Sequence, residues 1–312
     1  MKKYFMLIVM VYFSLPVLAC DACGCSINGD GWGLMPNNNR HFVGMRFQYR
    51  HYHNVHPSDT ETGFEVGDDH FYKADLIGRY SITKRFQMVG TIPYRFNDRY
   101  ESGDHLMEKG LGDASLSLQY LPIVPGCNDF KHALQLNAGA EGPTGKFKFS
   151  HDIPANMQTG SGTWDYIAGI SYMVRYKNIG LAIEGAYRFN GHTESGYDWG
   201  NSSSGSAKLF LNINSDSTKT FMPWLSVNAE HYESNIENMK YKIRAAYTGG
   251  YMLSLNSGFD YFDDRIGIGV EAGIPIKSDL SDGYSSMKIN IGCRLMWFIN
   301  NSNKKQTKNK SL

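Results

Sequence analysis

Beyond its first 19 residues the chain has no uninterrupted apolar stretch of about 18 residues, the minimum for a membrane-spanning helix. Mean hydropathy is −0.39, which excludes a bundle of transmembrane helices. An excess of one charge is also missing: 31 Lys and Arg stand against 30 Asp and Glu, a formal net charge of +1. No clustered basic face offers a nucleic-acid footprint. Cysteine and proline are sparse, at 5 and 10 of 312 residues. Aromatic residues and glycine, by contrast, are plentiful, with 20 Tyr, 17 Phe and 33 Gly.

The N-terminus reads as an export signal over residues 1–19. Lys2 and Lys3 form a basic start, Tyr4 to Leu18 is almost wholly apolar, and Val17 and Ala19 are small enough for cleavage before Cys20. The mature chain is therefore expected in a compartment where disulfides persist.

From there the dominant period is two. In "GMRFQYRHY", Met45, Phe47 and Tyr49 alternate with Arg46, Gln48 and Arg50. In "MKINIGCRLMW", Met287, Ile289, Ile291, Cys293, Leu295 and Trp297 oppose Lys288, Asn290 and Arg294. Such alternation predicts strands, near 41–52, 70–82, 85–98, 111–122, 131–142, 163–176, 178–190, 205–214, 219–232, 247–258, 265–276 and 286–299. Their length suits the roughly 9–11 residues of a tilted transmembrane strand. Short and long connections alternate: Thr83–Lys84, 124–129, 176–178, 216–218 and 260–264 are short, whereas 53–69, 99–110, 143–162, 191–204 and 233–246 are long. Tight turns on one side and long loops on the other characterise outer-membrane barrels. The fold class expected is all-β: one transmembrane antiparallel β-barrel of about twelve strands over 41–299, after a cleaved signal peptide. Residues 20–40 form a periplasmic Cys-rich segment that could lie across the opening, and 300–312 a disordered polar tail.

A soluble barrel would alternate too, with its apolar parity inside. Orientation is decided by cost. Lys288 and Arg294 share a parity, and each would cost about 2–4 kcal/mol facing mid-bilayer lipid. The apolar parity is therefore assigned to lipid, with Tyr94, Trp164, Tyr187 and Trp297 in interfacial girdles. The polar parity lines the lumen with Arg46, Arg50, Arg95, Asp113, Glu141, Glu184, Arg188, Lys288 and Arg294, joined by Lys73, Asp75, Arg79, Arg175, Glu230 and Glu271. Opposed charges in a narrow lumen are expected to satisfy one another, and charged rings tune what passes a wet pore.

Five stretches, "GLGDASLSLQY" (110–120), "EGPTGKFK" (141–148), "QTGSGTWDYIAGISY" (158–172), "TGGYMLSLNSGFDY" (248–261) and "GVEAGIPI" (269–276), occur in an order that resembles the outer-membrane transporter family labelled for the MetA pathway of phenol degradation. The resemblance spans roughly Phe42 to Phe298. It implies an outer-membrane barrel that passes small, often apolar molecules. The cysteine cluster and the tail "NNSNKKQTKNKSL" depart from that pattern. Read physically, Gly110, Gly112 and Asp113, Pro143 to Gly145, and Gly160, Gly162 and Asp165 sit where strands meet long loops, and Asp113 and Asp165 are placed to bond loop amides or lumen arginines.

The topology puts Cys20, Cys23, Cys25 and Cys127 on one side, in the periplasm. Three readings stand. Cys20 is lipidated, although Val17 and Leu18 fit a lipid-attachment signal poorly. The four cysteines form disulfides, being even in number. Or Cys-x-x-Cys-x-Cys holds Cu(I) or Zn through thiolates. Cys293 reads as an outward apolar residue. His51, His53 and His56 are potential metal ligands in a solvated loop. His192 and Ser195 fall in an outer loop, and the His-x-Ser-Asn-Gly stretch of the outer-membrane phospholipase is absent, so no enzyme is expected. The function expected is a Gram-negative outer-membrane channel for small, apolar molecules, partnered by lipid and cargo and not by nucleic acid. The alternatives are a non-conducting barrel whose loops, such as 198–206, bind a partner, and remotely a lipase-type barrel. Oligomeric state is not legible.

Overall fold

The period-two runs become long strands that pair with their neighbours in sequence. The computed structural model describes residues 40–299 apart from 58–63, 102, 127–128, 149–152, 194–195, 215–218, 238–242 and 246. Its strands are β1 (His41–Pro57), β2 (Phe64–Ser81), β3 (Phe86–Glu101), β4 (Asp104–Leu111, resuming as Ala114–Ile123), β5 (Phe130–Gly142), β6 (Asp165–Tyr176), β7 (Ile179–Phe189), β8 (Ser202–Leu211), β9 (Thr220–Tyr232), β10 (Gly250–Phe262), β11 (Ile266–Leu280) and β12 (Ser285–Ile299). Each is antiparallel to the next, and β12 returns to β1 through His41↔Ile299 and Phe47↔Cys293. The sheet closes into a twelve-strand barrel with no free edge.

Burial follows the sequence parity. On β1, Met45 and Phe47 are exposed and Arg46 is buried; on β4, Leu116 and Leu118 are exposed while Ser117 and Gln119 are buried. Around the wall, Leu76, Ile92, Leu136, Ile170, Ile183, Leu209, Leu225, Phe259, Ile274 and Ile291 also face out. Soluble monomers rarely expose contiguous apolar patches beyond about 300–600 Å², and this band circles the molecule. With polar groups inside and apolar groups outside, the protein is a transmembrane barrel.

Two departures from the expected strands have physical causes. The long loops expected at 53–69 and 99–110 are instead strand: β1 and β2 pair out to Pro57↔Phe64, and β3 and β4 out to Glu101↔Asp104. Above the apolar band polar residues such as His51, His53, Asn54, Asp68 and Asp69 fall on both faces, so the hydrophobic alternation that marks a strand is broken there. The second departure is on β12. His51 pairs with Ile289 but Tyr52 with Met287, leaving Lys288 as the extra residue of a bulge. Lys288 is thereby exposed and not in the lumen, and Met287, expected to face lipid, is buried inside at 2% exposure.

Candidate functional site: the barrel lumen

The lumen is layered along its axis. At the short-turn end lies an apolar layer, with Phe42, Ile77, Val89, Ala133, Met173, Ala182, Phe210, Met222, Trp224, Phe262, Met296 and Phe298 in one buried cluster. These come from every strand except β4 and β11. Phe298 meets Phe42 edge-on at 6.4 Å and Phe262 at 6.5 Å. Phe210 covers Gly180 so closely that a Cβ there would lie 2.0 Å from its ring. This layer was not anticipated. Its signal was present in "RLMWF" and "KTFMPW", where the inward parity also turns apolar close to a short turn.

Above it lies a buried ionic layer. Arg46 donates from Nε to Asp75 Oδ2 at 2.8 Å. Arg294 donates from Nε and Nη2 to Asp260 Oδ1 at 3.0 and 2.6 Å, and from Nη1 to Glu271 Oε2 at 2.8 Å. Trp224 Nε1 donates to the other Asp260 oxygen at 3.0 Å. Arg46 and Arg294 are cross-strand partners, and their like charges are compensated from the two flanking sides, by Asp75 on β2 and Asp260 on β10. Room for the arginine comes from Gly269, where a Cβ would stand 2.3 Å from Asp260 Oδ1 and 2.5 Å from Arg294 Nε. Glu184 faces a floor of Ser206, Lys208, Ser226, Asn256 and Asn290 at this level.

Between this layer and the loop rim opens a cavity of about 990 Å³, reaching from Gln48 and Arg50 to Glu65, Glu101 and Glu237. Arg50, Arg95, Asp113, Glu141 and Arg188 line it. Arg50 donates to both Glu230 oxygens at 3.3 Å, and Tyr232 hydroxyl donates to the same carboxylate. Arg188 binds Glu141 at 2.7 Å with Asp165 at 3.6 Å. Arg99 grips Asp69 through two bonds of 2.6 and 2.7 Å.

The described parts of the connection after β5, 143–148 and 153–164, fold into the lumen against β3 and β4. Asp113, in the break of β4, accepts from Gly145 N at 2.8 Å and Ser161 N at 2.5 Å. Inward Asn97 donates to Met157 O at 2.8 Å, and Met157 is fully buried. Gln158 clamps Lys148 from both amide atoms, at 2.6 and 2.8 Å. Gly145 and Gly160 are in backbone contact, with a Cβ on Gly160 falling 2.6 Å from Gly145 C. The loop-binding role expected of Asp113 is thus observed, and Asp165 bonds both Gly191 N, at 3.0 Å, and Thr163 Oγ1. The loop after β7 locks onto this one, and the loop after β9 locks onto that. Trp199 Nε1 donates to Ser161 O at 2.9 Å, and Tyr197–Asp198, Ile236–Glu237 and Ile243–Arg244 form a small sheet. Asn235 donates to Tyr197 hydroxyl at 2.7 Å, and burial pushes that phenol up to about 12.

The other candidate residues lie elsewhere. His51 and His53 share Asp68 on the outer face of the β1–β2 hairpin, at 2.9 and 3.1 Å, and His192 Nδ1 bonds Asp198 at 2.8 Å. Cys293 is exposed on the outer face of β12. Cys20, Cys23, Cys25, Cys127 and Ser195, together with the signal, the N-terminal plug and the tail, lie outside the described residues.

No family model matches the chain, and no curated protein matches it in sequence. Among solved structures, it is similar to an outer membrane channel from Pseudomonas putida F1 at 11% identity, with 88% of this chain and 100% of that chain covered and a TM-score of 0.61. Fainter likenesses, each at 10% identity, are the β-domain of the Bordetella autotransporter BrkA (84% of this chain, 100% of that, TM-score 0.48) and the translocator domain of the autotransporter NalP from Neisseria meningitidis (85% and 90%, TM-score 0.45). What the first of these shares with the chain is the fold.

Proposed function

We propose that the chain is an outer-membrane channel of a Gram-negative bacterium, exported by its N-terminal signal, that takes up small molecules with an apolar body from the long-loop side. The observation that carries this reading is the cavity of about 990 Å³ held between interlocked loops and an apolar layer. Tyr52, Phe71, Trp199 and Tyr232 offer ring faces to an occupant. Apolar constrictions gate hydrated solutes by dewetting, whereas an apolar body loses nothing by leaving water there. Segment 20–40 sits, in this reading, at the short-turn mouth near the turn of Cys127.

The same apolar layer favours a second reading, a sealed barrel whose rim loops bind a partner. Liposome swelling and bilayer conductance separate the two. The channel reading expects entry of small solutes with an apolar part, low ion conductance, and a rise of roughly tenfold or more when Phe42 and Met296 are both changed to Ser. A barrel that admits no solute and gains no conductance in that variant is sealed.

A further inference from the structure

The apolar layer is interrupted on one side. It draws no residue from β11, but there Gly267 lies under Met296 and the Phe262 ring, each 2.9 Å from the point a Cβ would occupy, so neighbours fill the place. On β4 the interruption is polar. The level of the layer on β4 falls between Ser117, the partner of Val89 on β3, and Ile123, the partner of Leu134 beside Ala133 on β5. The inward residues of that interval are Gln119 and Leu121, both buried. Gln119 thus holds an amide at a depth where ten strands present apolar side chains.

Strand register continues this polar interruption in both directions. Gln119 pairs with Gln87 on β3, on the short-turn side of Val89, and with Asn137 on β5. Asn137 shares its face with Gln135, two residues above Ala133. Gln135 pairs with Ser171 on β6, two residues above Met173, and Ser171 with Glu184 on β7, at the cavity floor. The file therefore runs from the floor, past the layer, toward the short-turn end. Two of its members are buried with atoms that meet no hydrogen-bond partner among the described residues: Gln135 Nε2, in a residue 2% exposed, and Ser171 Oγ, in one 0% exposed. Buried polar atoms are nearly always hydrogen-bonded, and water is the partner that commonly serves those the chain leaves over.

We propose that Glu184, Ser171, Gln135, Asn137, Gln119 and Gln87 form a wet seam through the apolar layer, a path for water and small uncharged solutes of the polyol and amide class. Donors and acceptors along a narrow passage exchange hydrogen bonds with such solutes as they move. Between Glu184 and Gln87 the file carries no formal charge. Stripping water from an ion costs far more than stripping it from a hydroxyl or an amide, so ions do not follow. The seam is separate from the passage of apolar bodies and does not rest on it.

The test is stopped-flow light scattering of sterol-rich liposomes carrying the purified full chain, after osmotic steps in sucrose, urea, glycerol or KCl. Water permeability is expected to exceed that of protein-free liposomes severalfold, with re-swelling in urea and glycerol and none in KCl. Gln119→Met combined with Gln135→Met replaces both amides by apolar chains of similar length and is expected to abolish the protein-dependent water, urea and glycerol fluxes. Water permeability at the protein-free level in the parent, fluxes unchanged in the folded double variant, or KCl entry as fast as urea entry overturns the proposal. Should the double variant fail to fold, as read from its strand circular dichroism, Ser171→Ala takes its place: lowered fluxes support the seam and unchanged fluxes overturn it. Failure of apolar-bodied solutes to enter removes the channel reading and leaves the seam standing; failure of water to pass removes the seam alone.

Discussion

Several lumen contacts converge on Asp260. It has no exposure and neutralises Arg294, accepts from Trp224 and lies against Gly269. Removing one partner of a buried ion pair leaves an uncompensated charge, typically costing about 3–5 kcal/mol. Asp260→Ala is therefore expected to destabilise the barrel by that amount in denaturant titration, and adding Arg294→Met to recover part of it. Gly269→Ala should cost about 1–3 kcal/mol, because a Cβ 2.3 Å from a carboxylate oxygen forces a shift. At the rim, Tyr197 carries a pH signature. Its folded phenol titrates near 12 against an ordinary value of 10.0, so its neutral form belongs to the folded loops. That contribution is complete below pH about 10 and is lost as pH rises toward about 12. Absorbance titration should show a late tyrosinate component that Tyr197→Phe reduces by one tyrosine. Earlier ionisation of all tyrosines would contradict it.

Among the elements, the strands were legible and the rim was not. Period-two runs such as Ala114–Tyr120 mark their own faces because lipid and lumen differ so sharply in polarity. The outer ends of β1–β4 lose that contrast, with His51, His53, Asp68 and His70 on one face and Tyr52, Asp69 and Phe71 on the other, so strand there read as loop. The bulge at Lys288 was hidden for a related reason: one extra residue exchanges the faces of Met287 and Lys288 without altering composition. Asp113 could be read as a loop anchor from its place between glycines, but the inward fold of 143–148 and 153–164 depends on a distant Asn97, which local pattern does not reach. Asp113→Ala frees two loop amides and is expected to cost about 1–3 kcal/mol. Limited proteolysis of the variant should begin within 143–164; a pattern like that of the parent would show that the loop is held by other contacts.

At the scale of the whole molecule, one asymmetry organises the rest: the apolar belt faces outward, while buried ion pairs such as Arg46–Asp75 and Arg294–Asp260 are enclosed. The apolar layer at the short-turn end lies outside that simple division. Its sequence signal is local and weak, and the layer forms where the ends of ten strands meet in one section. The most direct test of the central claim, that the belt meets lipid and the arginines do not, uses Cys293, exposed on β12 next to buried Arg294. With the other four cysteines replaced by Ser, a nitroxide on Cys293 in reconstituted membranes reports collisions with oxygen, which concentrates in lipid, and with a water-soluble nickel chelate. High oxygen and low nickel accessibility is the predicted result. Nickel accessibility above oxygen, or a labelled chain that stays in solution without detergent, would contradict it.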